Sequence, residues 1–452
     1  MCYALPKGLR AQGGENQGVM SGQARDRNGN ELVEPARAAW TAAAVLLAML
    51  AATTILSQFF RASTSVIGPE LIRDLSLSPE ALGFANGAFF LALLLPQVMV
   101  GVLFDRIGPR ITVSLLSVLM VAGAVLHAVA ESGPGLVAAR FVVGLGCAGS
   151  FMSAVVLISR WYPRASWSMA LSWVFALSQI GFFLAGLPLA AASEWIGWRV
   201  AFIGMGVVAA ITGVLFFALV RDHPPGQHIS RSGEHLGALA GLKQVLATPG
   251  LLRVLALFLV AYAAFATVML LWAGPYLNDV HGLDAIDRGK VLLGMAVFQT
   301  VAGLAVGPLD RIFNTRKWVA VGNATVALMV LLALAIVPDP STTLAVTLLL
   351  LLSSASAYGS VLLAHIRSHF PDHLAGRGAT TGNMAQLIGS ALLPIVTGFI
   401  PALFPHRGAG YSPLAYQWIF MTLAVALAMG LAVYLTAKDS KPNTSSDPPL
   451  QA

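Results

Sequence analysis

The chain has 452 residues, of which 57% are hydrophobic and 10% are charged. A soluble domain carries about 25% charged residues, so this composition excludes a water-soluble globule. The net charge is +7, but Lys and Arg are scattered in ones and twos, which argues against a nucleic-acid partner. Two cysteines are too few for a disulfide framework or a four-cysteine metal site, so we expect no metal and no cofactor.

The first segment, residues 1–37, is polar and rich in glycine and has mixed charge. It lacks the apolar stretch that a signal peptide needs, and its composition is typical of disorder. We predict a disordered cytoplasmic tail, within which Met20 offers a second start of translation.

Twelve apolar runs follow, each long enough to cross a hydrocarbon core of about 30 Å, which needs about 20 helical residues. The predicted spans are 40–66, 81–104, 111–130, 136–159, 167–193, 199–220, 252–276, 291–309, 318–337, 342–365, 379–404 and 415–436. A polar central loop at 221–250 separates an N-terminal half at 38–220 from a C-terminal half at 251–437, and a short cytoplasmic tail occupies 438–452. The sequence therefore predicts an all-α integral membrane protein with two six-helix halves.

The placement of basic residues predicts the orientation in the membrane. With the amino terminus inside, 20 Lys and Arg residues fall in the cytoplasmic loops and tails and five fall in the outer loops. Short cytoplasmic loops are enriched in Lys and Arg, so we expect both termini in the cytoplasm.

A motif follows the second span: Gly101, Asp105, Arg106, Gly108 and Arg110 fit G-x-L-x-D-R-x-G-x-R in full. A glycine lets two helices approach closely, and an Asp beside an Arg at a helix end can form ion pairs that break and remake. With this loop between helices 2 and 3, the chain resembles the major facilitator superfamily.

The resemblance implies a secondary transporter that works by alternating access, with a site between its two halves. It also implies that residues 101–110, here called the switch loop, fasten one conformational state. A partial repeat of this motif occurs 205 residues later, where Asp310 and Arg311 align with Asp105 and Arg106. This partial repeat supports two related halves.

Helix 4 contains Arg140, followed four residues later by Gly144, a pattern similar to one in the same superfamily. In proton-coupled members this arginine is linked to coupling, but the usual Gln is replaced here by Val143. Gly144, Gly146 and Gly149 also spell a dinucleotide fingerprint. A fingerprint needs a βαβ unit, so we expect these glycines to serve close helix packing instead.

Arg61 is the only charged residue between Arg37 and Glu70. An arginine within a bilayer costs about 2.5–3.5 kcal/mol and normally faces protein or a wet cavity. In organic anion transporters of the superfamily, an arginine at about this place in helix 1 meets the substrate anion. The alternative is that Arg61 extends to the outer interface, and the corresponding alternative applies to Arg140 at the inner interface.

All 20 Asp and Glu residues fall in loops, tails or helix ends. Because transport of a cation through the midplane usually employs a buried carboxylate, arginines without acids favour an organic anion or a zwitterion. Proton coupling would then need His127, His365 or the substrate itself.

Helices 1, 4, 7 and 10 line the cavity in this superfamily. The implied lining is Gln58, Arg61, Arg140, Tyr262, Trp272 and Tyr358. Tyr and Trp at helical spacing also fill cores, so the aromatic members of this set have a purely structural alternative.

We therefore expect a monomeric transporter in a bacterial inner (plasma) membrane, with a small-molecule substrate and lipid as partners. A proton or a counter-substrate would supply coupling by symport or antiport. Drug or metabolite efflux by proton antiport is the alternative. We expect no enzymatic activity, since catalysis would need a His or Ser near an acid at membrane depth.

Overall fold

A computed structural model describes residues 33–163, 166–224, 248, 250–370, 375–404 and 410–442. Most of the predicted tail at 1–37 and of the central loop at 221–250 lies outside these ranges, as does the end of the tail at 438–452.

Twelve helices in the described part of the chain are long and apolar enough to cross a membrane. We number them α1 Thr41–Val66, α2 Pro79–Arg106, α3 Gly108–Ala128, α4 Gly133–Trp161, α5 Met169–Ile196, α6 Trp198–Leu219, α7 Leu251–Asp279, α8 Ala285–Ile312, α9 Lys317–Ile336, α10 Thr342–Arg367, α11 Thr380–Leu403 and α12 Pro413–Leu435. Each corresponds to a predicted span, so the prediction of twelve crossings is confirmed. The helix that contains α1 begins at Val33.

The two halves repeat the same packing. In the N-terminal half α1 packs on α5, α3 packs on both α4 and α6, and α2 packs on α4. In the C-terminal half the equivalent pairs, six helices later, are α7 with α11, α9 with α10 and α12, and α8 with α10. The two halves are therefore related in structure, as the partial motif repeat at Asp310 suggests.

Equivalent helices are also interrupted, and in α4 and α10 the interruptions fall at equivalent places. The continuous part of α2 ends at Leu94 and resumes at Gln97, and in α8 the break falls at Gly307–Pro308. The break in α4 lies between Cys147 and Ser150, and α10 breaks between Ala355 and Gly359. Interrupted helices in corresponding positions of two halves are typical of secondary transporters, where they flank the site.

The two halves meet along α2 with α11, α5 with α8, and α1 with α7. The last of these contacts lies at the predicted outer end, where Ser65 of α1 accepts a hydrogen bond from the Gly274 amide of α7 at 3.1 Å. The halves are thus closed against each other at the predicted outer end.

Apolar side chains cover both the inside and the outside of the bundle. On α6, Phe202 and Phe216 are buried, whereas Val207 and Val214 are 54% and 68% exposed. A helix that is apolar all round is expected when its outer face meets lipid rather than water. The twelve apolar helices make this a multi-pass membrane protein.

Candidate functional site

Arg61 lies between the two halves. Its Nη1 donates a hydrogen bond to the hydroxyl of Tyr262 on α7 at 3.4 Å, and its guanidinium lies 5.5 Å from the ring centre of Phe90 on α2. Its Nε is buried and has no partner among the described residues. The side chain therefore points into the bundle and not toward the predicted outer interface.

Arg140 is completely buried on α4. Its Nη1 donates to the carbonyl of Phe60 at 2.5 Å and its Nη2 donates to Oδ1 of Asn86 at 3.4 Å. The guanidinium lies 4.6 Å from the ring centre of Phe89. These contacts come from a carbonyl, an amide and a ring, so they supply no negative charge to balance the arginine.

The two arginines share one region of α1. Arg140 binds the carbonyl of Phe60, the residue next to Arg61. No Asp or Glu lies in the middle of any spanning helix that the structure describes. The region is therefore positively charged and surrounded by apolar and neutral polar groups.

The other predicted lining residues divide into three cases. Gln58 is partly buried and its Cβ lies beside Gly181 of α5. Tyr358, at the break in α10, is buried, and within the described ranges its hydroxyl has no partner. Trp272 is completely buried and donates from Nε1 to the hydroxyl of Thr397 on α11 at 2.9 Å.

Trp272 belongs to an aromatic cluster rather than to the arginine pair. Its ring centre lies 6.2 Å from those of Tyr411 and Tyr416. The structure thus brings Arg61, Arg140 and Tyr262 together, and it places Trp272 in the packing of α7 against α11 and α12.

The switch loop is anchored at its far end. Gly108 has φ +84, and a Cβ there would lie 2.2 Å from Oδ2 of Asp222. Oδ1 of Asp222 accepts the Arg110 amide at 2.8 Å, while Nε of Arg110 donates to the carbonyl of Phe217 at 2.6 Å. The glycine leaves room for a carboxylate that caps the first turn of α3.

The start of the switch loop differs from expectation. No atom of the described residues lies within 4 Å of a Cβ placed on Gly101, so none of the described helices approaches it closely as expected. Asp105 and Arg106 are exposed at the end of α2. In the C-terminal half, Asp310 is buried and pairs with Arg316 at 3.5 Å, while Arg311 is exposed.

A second aspartate repeats the role of Asp222. Asp439, just beyond α12, accepts the Lys317 amide at 2.9 Å and the Thr315 hydroxyl at 2.6 Å. Nζ of Lys317 donates to the carbonyl of Leu435 at 2.7 Å, as Arg110 does to Phe217. Each half therefore fastens its third helix to its sixth at the predicted cytoplasmic end.

Sequence reasoning missed Asn86 and Asp222. Asn86 was detectable as an amide in the middle of an apolar span, the kind of residue that needs an interhelical partner. Asp222 carried no comparable signal, because its partner is a backbone amide 112 residues away. The glycines of helix 4 behave as expected: a Cβ on Gly144 would lie 2.5 Å from the carbonyl of Phe89.

Across the described residues, no group of three or more His, Cys, Asp or Glu side chains is placed to hold a metal ion. The polar groups around Arg61 and Arg140 are guanidinium, hydroxyl, carbonyl and amide groups.

The repeated six-helix halves, the interrupted helices and the charged region between the halves define a helical membrane transporter. The profile of the Major Facilitator Superfamily matches residues 50–394 and, in a second match, 291–452. The chain belongs to this superfamily.

Relatives support the same assignment. The chain is 25% identical over 378 residues to the protein named "Probable sulfoacetate transporter SauU" of Cupriavidus necator, covering 79% of this chain and 86% of the relative. It is also 25% identical over 402 residues to "Probable galactarate/D-glucarate transporter GarP" of Escherichia coli, covering 79% and 87%.

A solved structure has the same fold. It is a bacterial homologue of the human lysosomal transporter Spinster in an inward-facing, unoccupied conformation, with a TM-score of 0.73 and 18% identity. The match covers 87% of this chain and 96% of that chain.

Proposed function

We propose that the protein is a secondary active transporter of a small organic anion, with Arg61 and Arg140 as the groups that attract the negative charge. The observation that carries the proposal is the contact between Arg61 of α1 and Tyr262 of α7, beside a second, completely buried arginine. An arginine at membrane depth is costly, and an anion bound between two of them offsets that cost.

The neutral surroundings of the arginines support an anion over a cation. The partners of Arg140 are a carbonyl and the Asn86 amide, and both arginines retain a buried Nε that could donate to a ligand. A guanidinium suits carboxylate or sulfonate oxygens because it presents two parallel donors. The names of the relatives, which mention sulfoacetate and galactarate or D-glucarate, agree with this chemistry.

The position of Arg61 also supports alternating access. Because Arg61 and Tyr262 belong to different halves, a bound anion that competes for the guanidinium would change a contact between the halves. The halves would then rock about the contacts of α2 with α11 and of α5 with α8. In this scheme the switch loop moves at Asp105 and Arg106, while Asp222 holds its other end to α6.

A substrate screen tests the proposal. Purified protein in liposomes is assayed for uptake of labelled sulfoacetate, D-glucarate, a zwitterionic amino acid and the lipophilic cation tetraphenylphosphonium, with protein-free liposomes as control. We expect accumulation of at least one organic anion and none of the cation. Transport of the cation alone would contradict the proposal and favour drug efflux.

A further inference from the structure

A buried ion pair joins the two halves at the predicted outer end. Arg288 lies in the first turns of α8, and its side chain is 3% exposed. Its Nη2 pairs with Oε1 of Glu70. Glu70 lies in the short helix Gly68–Leu75 between α1 and α2, so the two charges come from different halves. The sequence alone predicts Arg288 as an ordinary loop charge, and its burial is a finding of the structure.

The C-terminal half fixes the position of Arg288. Nη1 of Arg288 donates to Oδ1 of Asn278, at the end of α7, at 2.6 Å and to the carbonyl of Leu283, in the connection between α7 and α8, at 3.3 Å. Glu70 is the partner from the other half. Its Oε2 is buried without a hydrogen-bond partner in the described part of the chain.

The pair lies beside a close contact between the halves. A Cβ on Gly274 would lie 1.7 Å from the carbonyl oxygen of Ser65, and one on Gly68 would lie 3.2 Å from Cγ of Pro275. This close packing leaves little room for water, and an ion pair interacts more strongly when water is excluded.

We propose that Glu70 and Arg288 form a latch that holds the outer ends of the two halves together and opens when the site faces outward. This inference rests on the alternating access proposed above. If one partner is neutralised, the other charge is left buried without compensation in the closed state, whereas water hydrates it in the open state. Neutralisation therefore shifts the population toward the outward-open state.

A neighbouring ion pair supplies the matched control. Asp74 binds Arg199 at 3.6 Å and Nε1 of Trp198 at 2.9 Å. All three residues belong to the N-terminal half and lie at the same end of the bundle. Loss of this pair removes a charge interaction without removing a contact between the halves.

The test measures how often the outer contact opens. Ser65, which is 1% exposed at the contact with α7, is replaced by Cys, and the full chain in lipid nanodiscs is treated with a maleimide. Labelling at position 65 is followed by peptide mass spectrometry. We expect Glu70→Gln and Arg288→Gln each to raise the labelling rate at least about tenfold, because each leaves one buried charge unpaired only in the closed state.

The double variant Glu70→Gln/Arg288→Gln is expected to label no faster than the faster single variant, since the interaction is already lost in each single variant. Asp74→Asn is expected to label at the rate of the Ser65→Cys parent.

A folded Glu70→Gln protein that labels at the parental rate would overturn the latch, as would equal acceleration by Asp74→Asn. Folding is checked by thermal unfolding, and the near-isosteric Glu70→Gln variant keeps the test valid if Arg288→Gln does not fold. Labelling does not depend on the substrate, so failure of the anion screen would refute the proposed function while leaving this result interpretable.

Discussion

At the scale of single residues, Asn86 determines the electrostatic character of the site. It is completely buried and accepts a hydrogen bond from Arg140 through Oδ1, while its Nδ2 has no partner in the residues described. An amide accepts a hydrogen bond from the guanidinium without neutralising its charge. A carboxylate at the same position would form an ion pair and cancel the charge that attracts an anion.

The substitution Asn86→Asp is expected to lower anion binding without lowering the stability of the fold. We expect a thermal unfolding temperature equal to or above that of wild type, because the new carboxylate pairs with Arg140. We expect anion affinity to fall at least about tenfold, because Arg140 would then donate to the new carboxylate and not to the anion. This removes one of the two charge-assisted hydrogen bonds to the anion, each worth about 1.5–3 kcal/mol. Binding is measured by scintillation proximity with a labelled anion. Wild-type affinity in a folded Asn86→Asp protein would show that Arg140 does not bind the ligand.

Hydropathy and charge located the two arginines but not their partners. Arg61 and Arg140 are recognisable because a charge within an apolar run is costly. The contact with Asn86 joins residues 54 positions apart, so it depends on how α2 packs on α4. Trp272 was placed in the lining by its helix alone, and its orientation toward Thr397 and the aromatic cluster was not encoded in the local pattern.

At the scale of helices, glycines mark where backbones touch. Gly144 on α4 lies against the Phe89 carbonyl of α2, whereas no described residue lies within 4 Å of a Cβ placed on Gly101 of α2. Both fall in motifs shared with the superfamily, so sequence alone assigned close packing to both. Only the arrangement of neighbouring helices distinguishes them.

The two glycines make a matched pair of substitutions. Gly144→Ala is expected to lower stability by about 1–3 kcal/mol, because the added methyl group must displace a helix backbone. Gly101→Ala is expected to leave stability within about 0.5 kcal/mol of wild type. The measurement is thermal unfolding in detergent, and an equal loss in both variants would contradict the packing described here.

The aspartate cap at α9, Asp439, predicts a dependence of stability on pH. Burial opposes ionisation of Asp439, but hydrogen bonds from the Thr315 hydroxyl and the Lys317 amide outweigh it and hold the pKa of this carboxyl below its ordinary value. A carboxyl with a lowered pKa stabilises the fold above its ordinary pKa, and this contribution is lost as the pH falls through the folded-state pKa.

We therefore expect Asp439→Asn to cost about 0.5–1 kcal/mol at pH 7, a modest value because the carboxylate is partly exposed. The difference from wild type should shrink as the pH falls below about 4. Thermal unfolding across this range checks the prediction, with Asp339→Asn in an exposed loop as control. A difference independent of pH would rule out the carboxylate as the source of the effect.

At the scale of the whole molecule, the sequence predicted the number of spans and the division into halves, because both follow from apolar length and polar interruptions. The helix packing pairs, the matching breaks in α4 and α10 and the closed outer end could not be predicted. These features depend on contacts between segments far apart in the chain, and the partial motif repeat at Asp310 was too short to specify them.

The positive-inside pattern predicts that both termini lie on the cytoplasmic side. Reporter fusions at the amino terminus, after residue 224 and at the carboxyl terminus are expected to give cytoplasmic signals, and a fusion in the α7–α8 connection the opposite one. Termini found on opposite sides of the membrane would be incompatible with two six-helix halves.

The most direct test of the central claim is solute counterflow with the anion identified in the screen, comparing wild type, Arg61→Gln and Arg73→Gln in matched liposomes. Arg73 provides the control because its side chain is 73% exposed at the predicted outer end. We expect Arg61→Gln to reduce exchange at least about tenfold through loss of a charge-assisted hydrogen bond, and Arg73→Gln to retain it. Full exchange by Arg61→Gln would contradict the assignment of this arginine to the anion site.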